Sequence, residues 1–140
     1  MGDVLYAATQ FRTRPIRDDS RRRPATVLLV DPDPATLAAM EHALLDEGFV
    51  TATAFDGPGA VAASHRVGTL DALVASTRGI SAVELAGALR RLHPGLVVLY
   101  TTTPDDELFG DGLLLSSDEE VIEKPFSGGE LVDAVSSLLR

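Results

Sequence analysis

Polar and apolar positions alternate along the chain as five short apolar runs, four of them followed at once by residues at helical spacing. Thr26-Val27-Leu28-Leu29-Val30 is continuous and of strand length, the pattern of a parallel strand covered on both faces. It stops at Asp31-Pro32-Asp33-Pro34, where Asp33 can cap a helix whose first position is Pro34. Leu37, Met40 and Leu44 then recur at three and four residues and form one apolar stripe, which Gly48 ends. Phe49 to Phe55 alternates and predicts a second strand, Asp56-Gly57 a turn, and Ala60 to Ser64 a short helix. Leu70 to Ala75 predicts a third strand, then a loop from Ser76 to Ser81 and a helix with Leu85, Leu89 and Leu92 on one side. His93-Pro94-Gly95 ends that helix and Leu96 to Tyr100 predicts the fourth strand. Thr101-Thr102-Thr103-Pro104 leads into an acidic turn at Asp105-Asp106-Glu107, and because Gly110 and Gly112 would break a regular helix begun at Asp105, a short or irregular one is expected there. Val121-Ile122 is the fifth strand. It runs into Lys124-Pro125-Phe126, after which Ser127 and Glu130 form a capping box for a last helix carrying Leu131, Val132, Val135 and Leu138.

Strands that alternate with helices are joined by crossovers, and right-handed crossovers put helices on both faces of one parallel sheet. The expected fold is therefore a three-layer, doubly wound α/β domain. In such folds function gathers at the carboxyl ends of the strands. Those ends carry Asp31, Phe55 to Gly57, Ser76, Thr101 and Lys124.

Composition narrows the chemistry. A chain of 140 residues with 45% hydrophobic and 24% charged residues suits one globular domain. It contains no Cys, which excludes disulfides, thiolate metal sites and cysteine nucleophiles. With no signal-like segment and no apolar run of membrane-spanning length, the expectation is a cytoplasmic protein without a membrane partner. The net charge of −9 is unevenly divided: residues 1–24 hold six Arg against three Asp, a balance of +3, and the remainder carries −12. Residues 1–24 thus read as a flexible basic arm and residues 25–140 as the domain. The acidic body disfavours bulk nucleic-acid binding, whereas the arm, from Arg12 to Arg23, is either a solvated tail or docks on an acidic surface, nucleic acid included. Lys124 is the single lysine. His42, His65 and His93 lack metal-ligand spacing, and no Gly-rich phosphate loop follows the first strand.

An acid, a hydroxyl and a lysine at the ends of strands one, four and five, with Lys124 followed by Pro125-Phe126, resemble the receiver domain of two-component response regulators. The resemblance covers residues 25–140, including Gly48-Phe49, Ala54-Phe55-Asp56-Gly57 and Asp71-Ala72-Leu73-Val74. It implies a five-stranded parallel sheet in the order 2-1-3-4-5. It also implies an Asp at the end of strand three that accepts a phosphoryl group from a phosphohistidine kinase, two acids after strand one that help to hold Mg²⁺, and Lys and Thr contacts to the phosphoryl oxygens.

Several of those parts are missing. The acceptor position falls on Ser76, and no Asp or Glu lies between Asp71 and Glu84. The paired acids align with Asp31 and Pro32, so the second is lost; Asp33 is a displaced candidate ligand, but it sits where a helix cap is needed. The loop after Ser76 is about two residues shorter than the family pattern, and Val121 stands where the family's switch has an aromatic. Each absent carboxylate removes on the order of 8 kcal/mol of gross attraction for Mg²⁺ at ~4 Å and an effective dielectric near 20. Mg²⁺ binding is expected to be weak or absent, with Asp31 and Asp33 the weak metal candidates. Serine is a poor nucleophile without a base, and no His follows Ser76 in its loop. Lys124 is expected to pair with Asp31, and Lys124-Pro125 to be cis, as is common in receivers.

These residues lead to an atypical receiver domain that is not an enzyme and works independently of phosphorylation as an interaction module for signalling proteins, a kinase or a separate output protein. Partners would use the last helix and strands or the arm, and a homodimer is one such arrangement. One alternative is an active phosphorelay receiver with Asp31 or Asp33 as acceptor; another is a nucleic-acid-associated adaptor acting through the arm.

Overall fold

The computed structural model describes residues 23–106 and 115–140. The central apolar runs become strands because they lie between two layers of helix, while the runs at the two edges of the sheet are partly exposed. In chain order the elements are β1 (Thr26–Val30), α1 (Pro34–Asp46), β2 (Val50–Ala54), α2 (Gly57–Arg66), β3 (Ala72–Ser76), α3 (Ala82–Leu92), β4 (Val97–Thr102), β5 (Glu119–Glu123) and α4 (Gly128–Leu139). All strand pairs are parallel and the sheet order is β2-β1-β3-β4-β5, as expected.

β1 and β3 are buried along their whole length. Side chains alternate across the sheet: Leu28, Val30, Leu73 and Ala75 pack beneath α2 and α3 with Ala60, Leu85 and Leu89, while Val27, Leu29 and Val74 pack beneath α1 and α4 with Leu37, Leu44, Leu131 and Val135. Asp33 caps α1 by accepting from the Thr36 N–H at 3.1 Å, and Gly48, at a φ of 89°, turns the chain out of the helix. At the other end of the fold the Ser127–Glu130 capping box starts α4.

Three local expectations are corrected. Asp56-Gly57 is not a turn but the start of α2: the Asp56 carboxylate accepts from the Gly59 N–H at 2.7 Å, and Pro58 falls in the first turn, where its missing N–H breaks no helical bond. A Cβ on Gly59 would lie 2.9 Å from that carboxylate oxygen, so a larger residue there would make the Asp56 side chain shift. The helix consequently begins three residues before Ala60. Leu92 does not join the apolar side of α3 but is 48% exposed, because the helix ends there and the chain turns away at His93. The irregular helix expected after Asp105 falls largely outside the described residues.

Most of the basic arm also falls outside them, but Arg23 does not behave as a loose charge. Its guanidinium grips the Asp71 carboxylate with two bonds, 2.6 and 2.9 Å, and Asp71 also accepts from the Thr26 N–H at 2.8 Å. This ties the segment before β1 to the start of β3. Partial burial pushes the Asp71 pKa up, yet the Arg23 and Thr26 bonds outweigh it and the carboxyl sits below its ordinary value. A depressed carboxyl pKa stabilises above the unfolded value near 3.9, and that contribution disappears as pH falls through the lower folded value. Asp71→Asn is expected to lose about 1 to 2 kcal/mol at pH 7, with the gap from the parent narrowing below pH ~3.9. Urea unfolding at several pH values measures both.

Candidate functional site

The carboxyl ends of β1, β3, β4 and β5 meet at one edge of the sheet. Val30 pairs with Ala75 and Ser76 with Thr101, so Asp31, Ser76 and Thr101 come level on neighbouring strands. Lys124 joins them from the end of β5, where its N–H donates to the Thr102 carbonyl at 2.7 Å and its bond to Pro125 is cis.

Asp31 is 1% exposed. One carboxylate oxygen accepts from Lys124 Nζ at 2.9 Å and the other from the Asp33 N–H at 2.8 Å. The expected Lys124–Asp31 pair is thus present, with the ammonium reaching in from a less buried stem. Asp33 points elsewhere, to the Thr36 hydroxyl at 2.6 Å and the Thr36 N–H, and those bonds lower its pKa. Its place is the helix cap.

Ser76 is buried and turned onto its own loop: Oγ accepts from the Arg78 N–H at 3.1 Å and donates to the Arg78 carbonyl at 3.3 Å. Thr101 is fully buried, and among the described residues its hydroxyl has no hydrogen-bond partner. Pro32 lies against the turn after β3: a Cβ on Gly79, whose φ is 73°, would stand 3.6 Å from the Pro32 ring. A proline ring and a glycine turn therefore meet where the loops after β1 and β3 approach each other.

Mg²⁺ is the ion the receiver resemblance implies at these groups. A hard dication takes several oxygen ligands, usually including carboxylates. Here both oxygens of Asp31 are engaged, Asp33 is committed to Thr36, and Pro32 and Ser76 bring no carboxylate. Among the described residues no group of three or more acidic or histidine side chains is placed to hold a metal. The donor set does not fit the ion.

Sequence reasoning missed a second network beside the first. Thr77 donates its N–H to the Thr101 carbonyl at 2.9 Å, while its hydroxyl bonds to the Asp106 carboxylate and lies 3.2 Å from the Thr102 hydroxyl. Arg78 reaches Asp105 at 3.0 Å and the Thr103 hydroxyl at 3.3 Å. The Thr103 hydroxyl, followed by Arg78, lowers the Asp105 pKa. The loops after β3 and β4 are thereby cross-linked. The available signal was Arg78 as the one cation in its loop, facing an acidic turn after the neighbouring strand.

Val121 is a half-buried aliphatic packed on the α2 and α3 side of the sheet. The buried aromatic at this end of the chain is instead Tyr100 in β4, whose hydroxyl lies 3.3 Å from Glu119; burial, then that carboxylate, raises its pKa to about 12.

No family model matches the chain. It is 35% identical over 125 residues to the probable transcriptional regulatory protein TcrX of Mycobacterium tuberculosis, an alignment covering 84% of this chain and 51% of that protein. It is also 35% identical over 118 residues to the transcriptional regulatory protein PrrA of the same organism, covering 81% and 49% respectively. The chain thus spans about half the length of these regulators. Among solved structures, a response regulator receiver protein from Sinorhizobium medicae superposes with a TM-score of 0.68 at 27% identity, over 83% of this chain and 94% of that one.

Proposed function

The chain carries a response-regulator receiver domain of two-component signalling, and from that premise we propose that it works as an atypical receiver, a non-enzymatic interaction module that does not depend on phosphorylation. The observation that carries this reading is the end of β3, where the side chain is the buried hydroxyl of Ser76, bonded to its own loop, rather than a carboxylate. A phosphoryl group arriving there would meet no carboxylate nucleophile and no metal cluster. The lysine that would contact it is already neutralised by Asp31. The cross-link of Thr77 and Arg78 to Asp105 and Asp106 supports the same reading, because it holds the loop after β4 without any phosphoryl group to draw it in.

The partners proposed are signalling proteins, either a kinase or a separate output protein, acting in the cytoplasm. Among the described residues no helix is long and apolar enough to cross a membrane. That the relatives are named transcriptional regulators keeps a link to gene control within the proposal.

Incubation with Mg²⁺ and a small phosphodonor tests the reading. The expected result is no acid-labile phosphoryl group by intact mass and no Mg²⁺-dependent change on adding fluoroberyllate. Label on Asp31 or Asp33 would overturn it in favour of a phosphorelay receiver with an unusual acceptor.

A further inference from the structure

An open groove of about 320 Å³ runs along the outer edge of the sheet between β5 and α4, lined by Glu120, Val121, Ile122, Glu130, Asp133 and Ala134. Among the described residues none of these three carboxylates has an ion-pair partner, and Glu130 keeps one oxygen for an arginine while the other accepts from the Ser127 N–H in the α4 cap. Most of the domain's own cations are engaged elsewhere: Arg23, Arg78, Arg90 and Lys124 are each held by a carboxylate. Arg66 and Arg91 lie at the ends of α2 and α3, on the opposite face of the sheet from α4. Arg140 is a single cation at the far end of α4, and the chain's remaining density of positive charge is Arg12, Arg14, Arg17, Arg21 and Arg22, ahead of the described residues.

The starting point of that segment is known. Arg23 is clamped to Asp71, whose carbonyl accepts from the Val97 N–H, while the neighbouring Val98 N–H donates to the Asp118 carbonyl just before β5. The Arg23 guanidinium is therefore anchored level with the beginning of β5 and two strands away, and its backbone, leading into β1, lies three strands away, roughly 14 Å at ordinary strand spacing. An extended chain covers about 3.3 Å per residue, so Arg17 can reach about 20 Å from the anchor and Arg12 about 36 Å. Tethering so close to the groove makes docking intramolecular, with an effective concentration on the order of millimolar.

We propose that residues 12–22 of the same chain occupy the β5–α4 groove, with their arginines against Glu120, Glu130 and Asp133. The inference stands on charge, tether and groove, independently of the receiver reading. One consequence is that a protein binding this face must displace the arm first.

The test uses the full chain. Amide NMR shifts of 120–122 and 130–137 are compared between the parent and an R14Q/R17Q/R21Q/R22Q variant, which leaves the folded domain untouched. These amides are expected to move in the variant, and the parent's to move to the same positions at about 0.5 M salt, where screening is short-ranged. As a second arm, E120Q/D133N is expected to speed tryptic cleavage after the arm arginines several-fold at low salt. Unmoved amides, shifts confined to another surface, or an unchanged cleavage rate would each overturn the proposal. Shifts that grow with chain concentration would overturn it too, by assigning the groove to the arm of a second copy.

Discussion

Asp31→Ala is expected to destabilise the protein by about 3 kcal/mol, because it strands one charge and one backbone donor together. The carboxylate is 1% exposed and receives both Lys124 Nζ and the Asp33 N–H. Breaking a buried pair from one side costs about 3 to 5 kcal/mol; the ammonium here retains some access to water, which places the loss at the lower end. Lys124→Met should cost a comparable amount, since the carboxylate left behind is the more deeply buried partner. Replacing both, as Asp31→Ala with Lys124→Met, is expected to recover much of the loss, because neither charge is then left unpaired. Urea unfolding of the two single variants and the double variant gives the coupling directly. Additive losses would show that the contact contributes little.

Ser76→Asp, which places a carboxylate at the end of β3, is expected to lose about 3 kcal/mol at pH 7. Asp31 follows Val30 and Ser76 follows Ala75, and Val30 and Ala75 are paired, so the new group would sit one strand over from Asp31. Two like charges ~5 Å apart at an effective dielectric near 20 repel by about 3 kcal/mol. Lys124 can answer only one of them fully. Repulsion and burial raise the folded pKa of the new carboxyl, so the variant should match the parent below the unfolded value near 3.9 and fall behind as pH rises through the folded value. Millimolar Mg²⁺ should then narrow the gap at pH 7 in this variant and leave the parent unchanged, since two adjacent carboxylates begin to offer what one does not. A variant as stable as the parent at pH 7 would mean that the two strand ends do not face one another as tightly as their register implies.

The legible parts of the fold were those with short-range causes. The continuous run of β1, the Asp33 cap, the Leu37–Met40–Leu44 stripe and the Ser127–Glu130 box each depend on residues within a few positions of one another. The start of α2 was legible too and was misread: Asp56-Gly57-Pro58-Gly59 follows the same cap-then-proline logic as Asp33-Pro34, but the glycines suggested a turn. At the site, Lys124 and Asp31 could be paired because their positions at two strand ends were set by periodicity and by the family resemblance. The anchoring of Arg23 could not be foreseen in the same way, since Asp71 is 48 residues away and arginine in a basic run reads as solvated. The link between Thr77 and Asp106 was hidden for the same reason.

By itself the sequence determined the kind of element, the alternation that makes a parallel sheet, and the identity of the groups at the strand ends, including a hydroxyl where a receiver would have a carboxylate. These depend on periodicity and residue type, which act locally. Only the tertiary structure decided which partners those groups take: the carboxylate of Asp31 on Lys124, Ser76 folded onto its own loop, Arg23 on Asp71, and acids left uncovered between β5 and α4. A hydrogen bond or ion pair depends on the separation and direction of two groups within a few ångströms, and for residues far apart in the chain those are set by sheet register and packing.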